Sequence, residues 1–243
     1  YPAARAVMQC VYEGLQLPID AALRVESRYF TQILRSKEAA AIIRSLFLSM
    51  QELNKGARRP ENVPPTKVKK LGIIGAGFMG ASIGYVSSRA GIEVVLIDRD
   101  QESADKGKAH ASSVLDDLIR KGRAKESDRE ATLSRITATP DYTALKDCDL
   151  IIEAVFEDRK VKSDTYAKAQ PLLKQDAIFA SNTSTLPINS LAEDFRDQAK
   201  FIGIHFFSPV EKMMLVEIII GKNTGEVALA TALHEGLALS KTP

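Results

Sequence analysis

Gly75, Gly77 and Gly80 close the apolar run LGIIG with the spacing G-x-G-x-x-G, and the stretch that follows, ASIGYVSSRAGIEVVLID, ends on Asp98, eighteen residues beyond Gly80. Three glycines alone carry little information, but glycines that follow a strand, open a helix and precede a second strand ending in an acid have a joint purpose. The first permits a tight turn, the second admits main-chain amides to a diphosphate without a Cβ in the way, and the third lets the helix lie close to the strand. A helix N-terminus adds unpaired N–H donors and the positive end of a dipole, which favours phosphate without any lysine. Asp98 can accept hydrogen bonds from a ribose hydroxyl pair and repels a 2′-phosphate, so the constellation predicts NAD rather than NADP, with Arg99 beside it softening the discrimination. The alternative is a plain strand-to-helix turn in which Asp98 caps the next helix.

A second constellation is His205 in GIHFFSPV and Glu217 in MMLVEIII. A carboxylate flanked by apolar residues on both sides is expected to be buried and so to need a partner. Two strands joined through Pro209 can supply His205, and a histidine backed by a carboxylate is a general base, the acid setting the tautomer and stabilising the imidazolium. The alternative is a histidine satisfied at a strand end and a glutamate reaching solvent. ASNTSTLPI, residues 180–188, leaves a strand with consecutive hydroxyls; these suit a helix N-cap and equally a ligand edge of a parallel sheet.

The elements that must position these residues are legible as texture. Strand candidates are LGIIG (71–75), EVVLID (93–98), RITAT (135–139), DLIIEAV (149–155), AIFASN (177–182), FIGIHFF (201–207) and MLVEIII (214–220), with helical stretches between them. Near-continuous apolar strands alternating with helices predict an α/β, Rossmann-type doubly wound and mainly parallel sheet. Residues 3–54 read as helices, with Ile42, Ile43, Leu46, Phe47, Met50 and Leu53 on one broad face that wants a partner. KGARRPENVPPTKVKK, residues 55–70, is charged, carries three prolines and lacks periodicity, which places a boundary between a helical segment with its linker, 1–66, and a domain over 67–243.

Composition bounds the rest. The 243 residues are 45% hydrophobic and 26% charged, enough for a sizeable core, and Lys+Arg 33 against Asp+Glu 31 leaves a net charge of +2, which points to no nucleic-acid surface. Lys67, Lys69 and Lys70 read as solvated charge rather than as a phosphate site. Cys10 and Cys148 form no metal or disulfide motif, His110 and His234 have no ligand partners at suitable spacing, and no metal is expected. No apolar run is long enough to span a membrane and no signal sequence is evident, so the expectation is a soluble intracellular protein. The chain begins YPAARAVMQC without an initiator Met and stops at LALSKTP, which reads as an excised piece.

The motifs KKLGIIGAGFMG, VVLID, IIEAVFEDRKVK, FASNTSTLPI and GIHFFSPVEKMMLVEII, in that order, resemble the NAD-binding domain of 3-hydroxyacyl-CoA dehydrogenases over residues 67–243. YFTQILRSKEAAAIIRSLF resembles the connecting segment of multifunctional fatty-acid oxidation proteins, in which an enoyl-CoA hydratase precedes the dehydrogenase. The resemblance implies oxidation of an L-3-hydroxyacyl-CoA with NAD, His205 as catalytic base, Glu217 as its partner and Ser184 near the substrate oxygen and nicotinamide. It also implies a cofactor site lined by Gly75, Gly77, Met79, Gly80, Asp98, Val155, Phe156, Glu157, Lys162 and Ser184, with Ser208 standing where many relatives have Asn. It further implies a missing C-terminal helical domain, a hydratase domain in the parent chain, a thiolase subunit among its partners, and a compartment that is cytoplasmic in bacteria or mitochondrial or peroxisomal in eukaryotes. Two rivals are a non-catalytic NAD-binding or structural protein on the same scaffold, and a dehydrogenase of another small hydroxy acid; the latter requires an anion-binding arginine in the cleft, for which no candidate is evident.

Overall fold

The computed structural model describes residues 1–64 and 67–243, which divide into two compact units, residues 1–58 and 59–243. The first unit is helical: α1 (Pro2–Gly14) and α2 (Ile19–Leu34) pair, followed by α3 (Lys37–Ile42), a π-helical stretch (Ile43–Leu48) and α4 (Ser49–Asn54). Glu13 joins the pair by accepting from Arg28 and Tyr29, and α1 and α2 line an apolar groove of about 680 Å³. Helix spacing is thus kept through residue 54, but a wider turn interrupts it at 43–48, where Ile42, Ile43, Leu46 and Phe47 are exposed.

The second unit runs β1 (Lys70–Ile74), α5 (Phe78–Arg89), β2 (Glu93–Ile97), α6 (Gln101–Arg120), α7 (Glu126–Ser134), β3 (Ile136–Thr139), β4 (Leu150–Glu153), α8 (Arg159–Ala169), β5 (Ile178–Ser181), α9 (Ile188–Ala192), β6 (Phe201–Phe206), β7 (Val216–Ile219) and α10 (Glu226–Ala238). The seven strands form one sheet in the order β3-β2-β1-β4-β5-β6-β7, parallel except for β7, which pairs antiparallel with β6. All seven anticipated strands are present; six are trimmed by a residue or two at one or both ends, and β1 is displaced by one residue toward the N-terminus.

Alternate residues of each strand feed two cores. Leu71, Ile73, Leu96, Ile152 and Ile204 face α5, α6 and α10, while Ile74, Val95, Ile151, Phe179 and Phe201 face α8 and α9. A buried Leu, Ile or Phe side chain contributes roughly 1.5–3 kcal/mol, so burial on both faces makes this sheet the rigid frame of the unit. The order reverses between β1 and β4: the chain winds outward through β2 and β3, then returns beside β1. In an open α/β sheet the ligand crevice lies outside the carboxyl ends of the strands at such a switch point. Gly75, Val155, Ser184 and His205 all sit at that edge or in the loops leaving it, whereas Lys69 and Lys70 sit at the opposite end of β1.

Candidate active site

The glycine loop is shaped for close approach. Gly75 adopts a φ of +101°, and a Cβ there would fall 2.6 Å from the Ala154 carbonyl oxygen of the neighbouring strand's exit. A Cβ on Gly80 would lie 1.7 Å from the Gly75 carbonyl oxygen, so only glycine lets α5 start this close to β1. Gly77 differs: among the described residues nothing lies within 4 Å of where its Cβ would be. Gly77 is the N-cap of α5 and provides no side-chain cap, so the first amides of that helix are left for an anion.

Asp98 closes the same loop from β2. Its Oδ2 accepts from the Ala76 N–H at 2.7 Å and its Oδ1 from the Arg99 N–H at 2.7 Å. It does not cap α6, whose N-cap is Asp100. A carboxylate oxygen has two acceptor sites, so both oxygens retain capacity for ribose hydroxyls while the carboxylate fixes the loop. The residues present therefore fit a dinucleotide: a cradle free of side chains, uncapped amides and an acid at the end of β2.

His205 and Glu217 are directly opposed in the β6–β7 register, which puts their side chains on one face of the pair. His205 Nδ1 lies 2.8 Å from Glu217 Oε2. With Nδ1 donating to the carboxylate, Nε2 carries the lone pair and is the proton acceptor. The imidazole is also flanked by Phe207, with ring centroids 4.6 Å apart. The expectation that Glu217 is buried is incorrect: its side chain is 51% exposed, against 17% for His205. The cause is topological, since β7 is the edge strand, paired along its length with β6 and on its other side only at an isolated bridge to Thr242 among the described residues.

The Ser184 loop is held from below by Glu157. Glu157 Oε1 accepts from the Thr183 hydroxyl at 2.6 Å and from the backbone N–H groups of Ser184 at 3.0 Å and Thr185 at 3.2 Å; its Oε2 lies 3.2 Å from Lys162 Nζ. Desolvation works against ionisation of this carboxyl, but the Thr183 hydroxyl, the Lys162 ammonium and the two loop amides outweigh it and hold the group at about 2. The hydroxyls of ASNTSTLPI thus do not cap α9, whose N-cap is Pro187 without a side-chain cap. The Thr183 hydroxyl goes to Glu157 and also accepts from the Leu186 N–H at 3.0 Å, while the Ser181 hydroxyl goes to Glu153.

The remaining candidates differ in how closely they are tied. Lys162 is fully buried, Met79 and Val155 are partly buried against the two cores, and Phe156 is 78% exposed at the exit of β4. Ser208 is exposed beyond β6, and among the described residues no hydrogen bond links its side chain to the other candidates. Two residues of the site passed unnoticed in the sequence. Asn182 Oδ1 accepts from the Phe206 N–H at 2.9 Å, tying the Ser184 loop to the strand that carries His205. Glu153 is completely buried at the end of β4, bonded to Lys162, Tyr166 and Ser181; its signal was an acid within an apolar strand, the same one that marks Glu217. Cys148 is buried, and desolvation pushes its thiol up to about 11, which makes it inert.

Known proteins are similar to this chain in sequence and fold. The chain is 35% identical over its whole length to the fatty acid oxidation complex subunit alpha of Shewanella frigidimarina, of which it spans 34%. The crystal structure of (S)-3-hydroxybutyryl-CoA dehydrogenase PaaH1 from Ralstonia eutropha superposes with a TM-score of 0.71 at 36% identity, covering 73% of this chain and 62% of that one. The dehydrogenase part of multifunctional enzyme 1 from C. elegans superposes at 0.67 with 33% identity, covering 75% and 42%. The family described as 3-hydroxyacyl-CoA dehydrogenase, NAD binding domain, matches residues 70–243. The glycine cradle, the acid at the end of β2 and that match over most of the chain lead to one assignment: the chain belongs to the NAD-binding-domain family of the 3-hydroxyacyl-CoA dehydrogenases.

Proposed function

We propose that this chain carries the NAD site and the acid–base pair that oxidise an L-3-hydroxyacyl-CoA to the 3-oxoacyl-CoA. The observation that supports this reading best is the in-register pair His205–Glu217, hydrogen-bonded at 2.8 Å at the same sheet edge as the glycine loop. NAD, when bound, supplies the acceptor for the hydride from the substrate's C3. His205 Nε2 takes the proton from the C3 hydroxyl, and Glu217 stabilises the imidazolium and keeps the ring oriented. Ser184, held by Glu157 at the loop above β5, donates toward the substrate oxygen. Gly77 and the uncapped amides of α5 bind the diphosphate, Asp98 binds the adenosine ribose, and Lys162 with Glu157 lies at the nicotinamide end, with Met79, Val155 and Phe156 as the apolar lining. Ser208 contributes a short polar contact to the cofactor.

The chain spans 34% of its curated relative, which leaves room for further domains in the parent protein. Residues 1–66 connect a preceding hydratase domain to the dehydrogenase unit, 67–243 form the NAD-binding domain, and a following helical domain completes the substrate cleft. A thiolase subunit is the expected partner of such an assembly, within the cell. Among the described residues no helix is long and apolar enough to cross a membrane. Stopped-flow oxidation of a short L-3-hydroxyacyl-CoA, followed by NADH absorbance, tests the proposal in the full-length protein. Formation of NADH from the L enantiomer alone is expected; binding of NADH without any turnover would leave only a nucleotide-binding role.

A further inference from the structure

Glu153 is the last residue of β4, and its side chain has no exposed surface. Its Oε1 accepts from the Val155 N–H at 2.9 Å and from Lys162 Nζ at 2.8 Å; its Oε2 accepts from the Ser181 hydroxyl at 2.7 Å and the Tyr166 hydroxyl at 3.1 Å. A carboxylate has about four acceptor sites, and all four are filled by donors from the loop leaving β4, from α8 and from β5. Lys162, equally buried, then has one ammonium between two carboxylates, Glu153 and the half-open Glu157. Burying the Glu153 carboxylate with the Lys162 ammonium does not serve stability well, since a well-packed apolar replacement is often as stable or more so. What it does provide is a charge that cannot move. Lys162 is fixed from within the core and in turn fixes Glu157, whose other oxygen collects the Thr183 hydroxyl and the amides of Ser184 and Thr185.

We propose that Glu153 is a positioning residue for the dehydrogenase reaction: through Lys162 and Glu157 it sets the placement of the exposed Ser184 loop relative to the sheet. This rests on the reading of Ser184 as a group that faces the substrate oxygen. The strand pairing supports it, because Glu153 lies beside Ser181 and Ser181 beside Gly203, two residues before His205 on the same face of β6. The relay thus ties the loop that holds Ser184 to the part of the sheet that holds the base. A site group must be held to roughly 0.5 Å to be productive, and an exposed serine has no packing of its own to achieve that.

The test uses the full-length enzyme with Glu153→Gln, Ser184→Ala and the double variant. Glu153→Gln keeps the shape and removes the charge. It is expected to lower kcat about tenfold to a hundredfold with KM changed less than about threefold, because a loop misplaced in the transition state costs kcat. Hydrogen exchange at the Ser184 and Thr185 amides should accelerate about tenfold or more, with the amides inside β5 unchanged. In the Ser184→Ala background the same change should cost no more than about twofold further, since residues acting through one group are not additive. Unchanged amide protection in Glu153→Gln, or its full kcat loss persisting without the Ser184 hydroxyl, would overturn the relay. If Ser184→Ala alone leaves kcat intact, the reading of Ser184 fails, and amide exchange still decides whether Glu153 holds the loop. Should Glu153→Gln not fold, Ser181→Ala and Tyr166→Phe each remove one neutral donor to Glu153; both should speed exchange at Ser184, and no change in either would overturn the proposal.

Discussion

Glu217 Oε2 sits 2.8 Å from His205 Nδ1 across a pair of antiparallel strands in which the two residues are exact register partners. Register places the carboxylate on the Nδ1 side of the ring, so that Glu217 does not occupy Nε2. The base is therefore built from backbone pairing, with no loop to reorganise.

Replacing Glu217 by Gln keeps a hydrogen-bond acceptor and removes the charge that stabilises the imidazolium. We expect kcat to fall about tenfold to a thousandfold, within the range by which positioned acid–base groups act. NADH affinity should stay within about twofold, since Glu217 belongs to the proton path and not to the diphosphate cradle. Fluorescence titration alongside steady-state kinetics separates the two effects. Because Glu217 is half exposed, the melting temperature should change little.

Gly77→Ala separates a ligand requirement from a folding requirement. The space around the missing Cβ is open and the backbone φ of −64° suits any residue, so folding should lose about 1 kcal/mol at most, the cost of a poorer N-cap. NADH binding should weaken about tenfold or more, because the methyl enters the cradle. Gly80→Ala, whose Cβ would collide with the Gly75 carbonyl, should instead fail in thermal denaturation before any ligand is added.

Asp98→Ala should weaken NADH about tenfold or more, and wild type should prefer NADH over NADPH by a similar factor, the acid binding a ribose diol and opposing a phosphate. Asp98→Asn, which can still accept from the Ala76 amide, should keep the loop ordered while relaxing the preference against NADPH. Nicotinamide fluorescence with both cofactors reads the outcome. A wild-type preference for NADPH would refute the role given to Asp98.

The fold and the meeting of His205 with Glu217 are legible in the sequence, and the features that are not have a common cause. Strands such as LGIIG and DLIIEAV stand out because a parallel strand covered on both faces is apolar almost throughout. That same continuity hides which strands are central and which lie at the edge. Glu217 in MMLVEIII and Glu153 in DLIIEAV carry the same local signature, yet β7 is an edge and β4 lies between β1 and β5, so Glu217 is half exposed and Glu153 has no exposure at all. Strand order is decided by crossovers, which leave no mark on either strand's own residues. The hydroxyls of ASNTSTLPI are ambiguous for a related reason: Glu157, the partner of Thr183, is twenty-six residues away and joins it only once β4 and β5 are paired.

Glu235 on α10 offers a pH-dependent check on the fold. It is 1% exposed, neither carboxylate oxygen has a hydrogen-bond partner among the described residues, and desolvation raises its carboxyl from 4.5 to about 8. The folded state therefore binds a proton that the unfolded chain releases between those two values. Stability should fall as pH rises from about 4.5 to about 8 and level off above, by on the order of a few kcal/mol. Glu235→Met, of similar length and without polar atoms, should abolish that slope. Thermal melts at pH 5 and pH 9 should show the variant's advantage growing with pH; an equal gap at both would contradict the assignment.

The most direct test of the acid–base account is single-turnover oxidation of an L-3-hydroxyacyl-CoA by full-length His205→Gln, paired with NADH titration of the same preparation. The account predicts NADH affinity within about twofold of wild type and a chemical step slowed by about a hundredfold to ten-thousandfold, the loss expected of a missing general base. A variant that binds NADH normally and still forms the 3-oxoacyl product at close to the wild-type rate would contradict it.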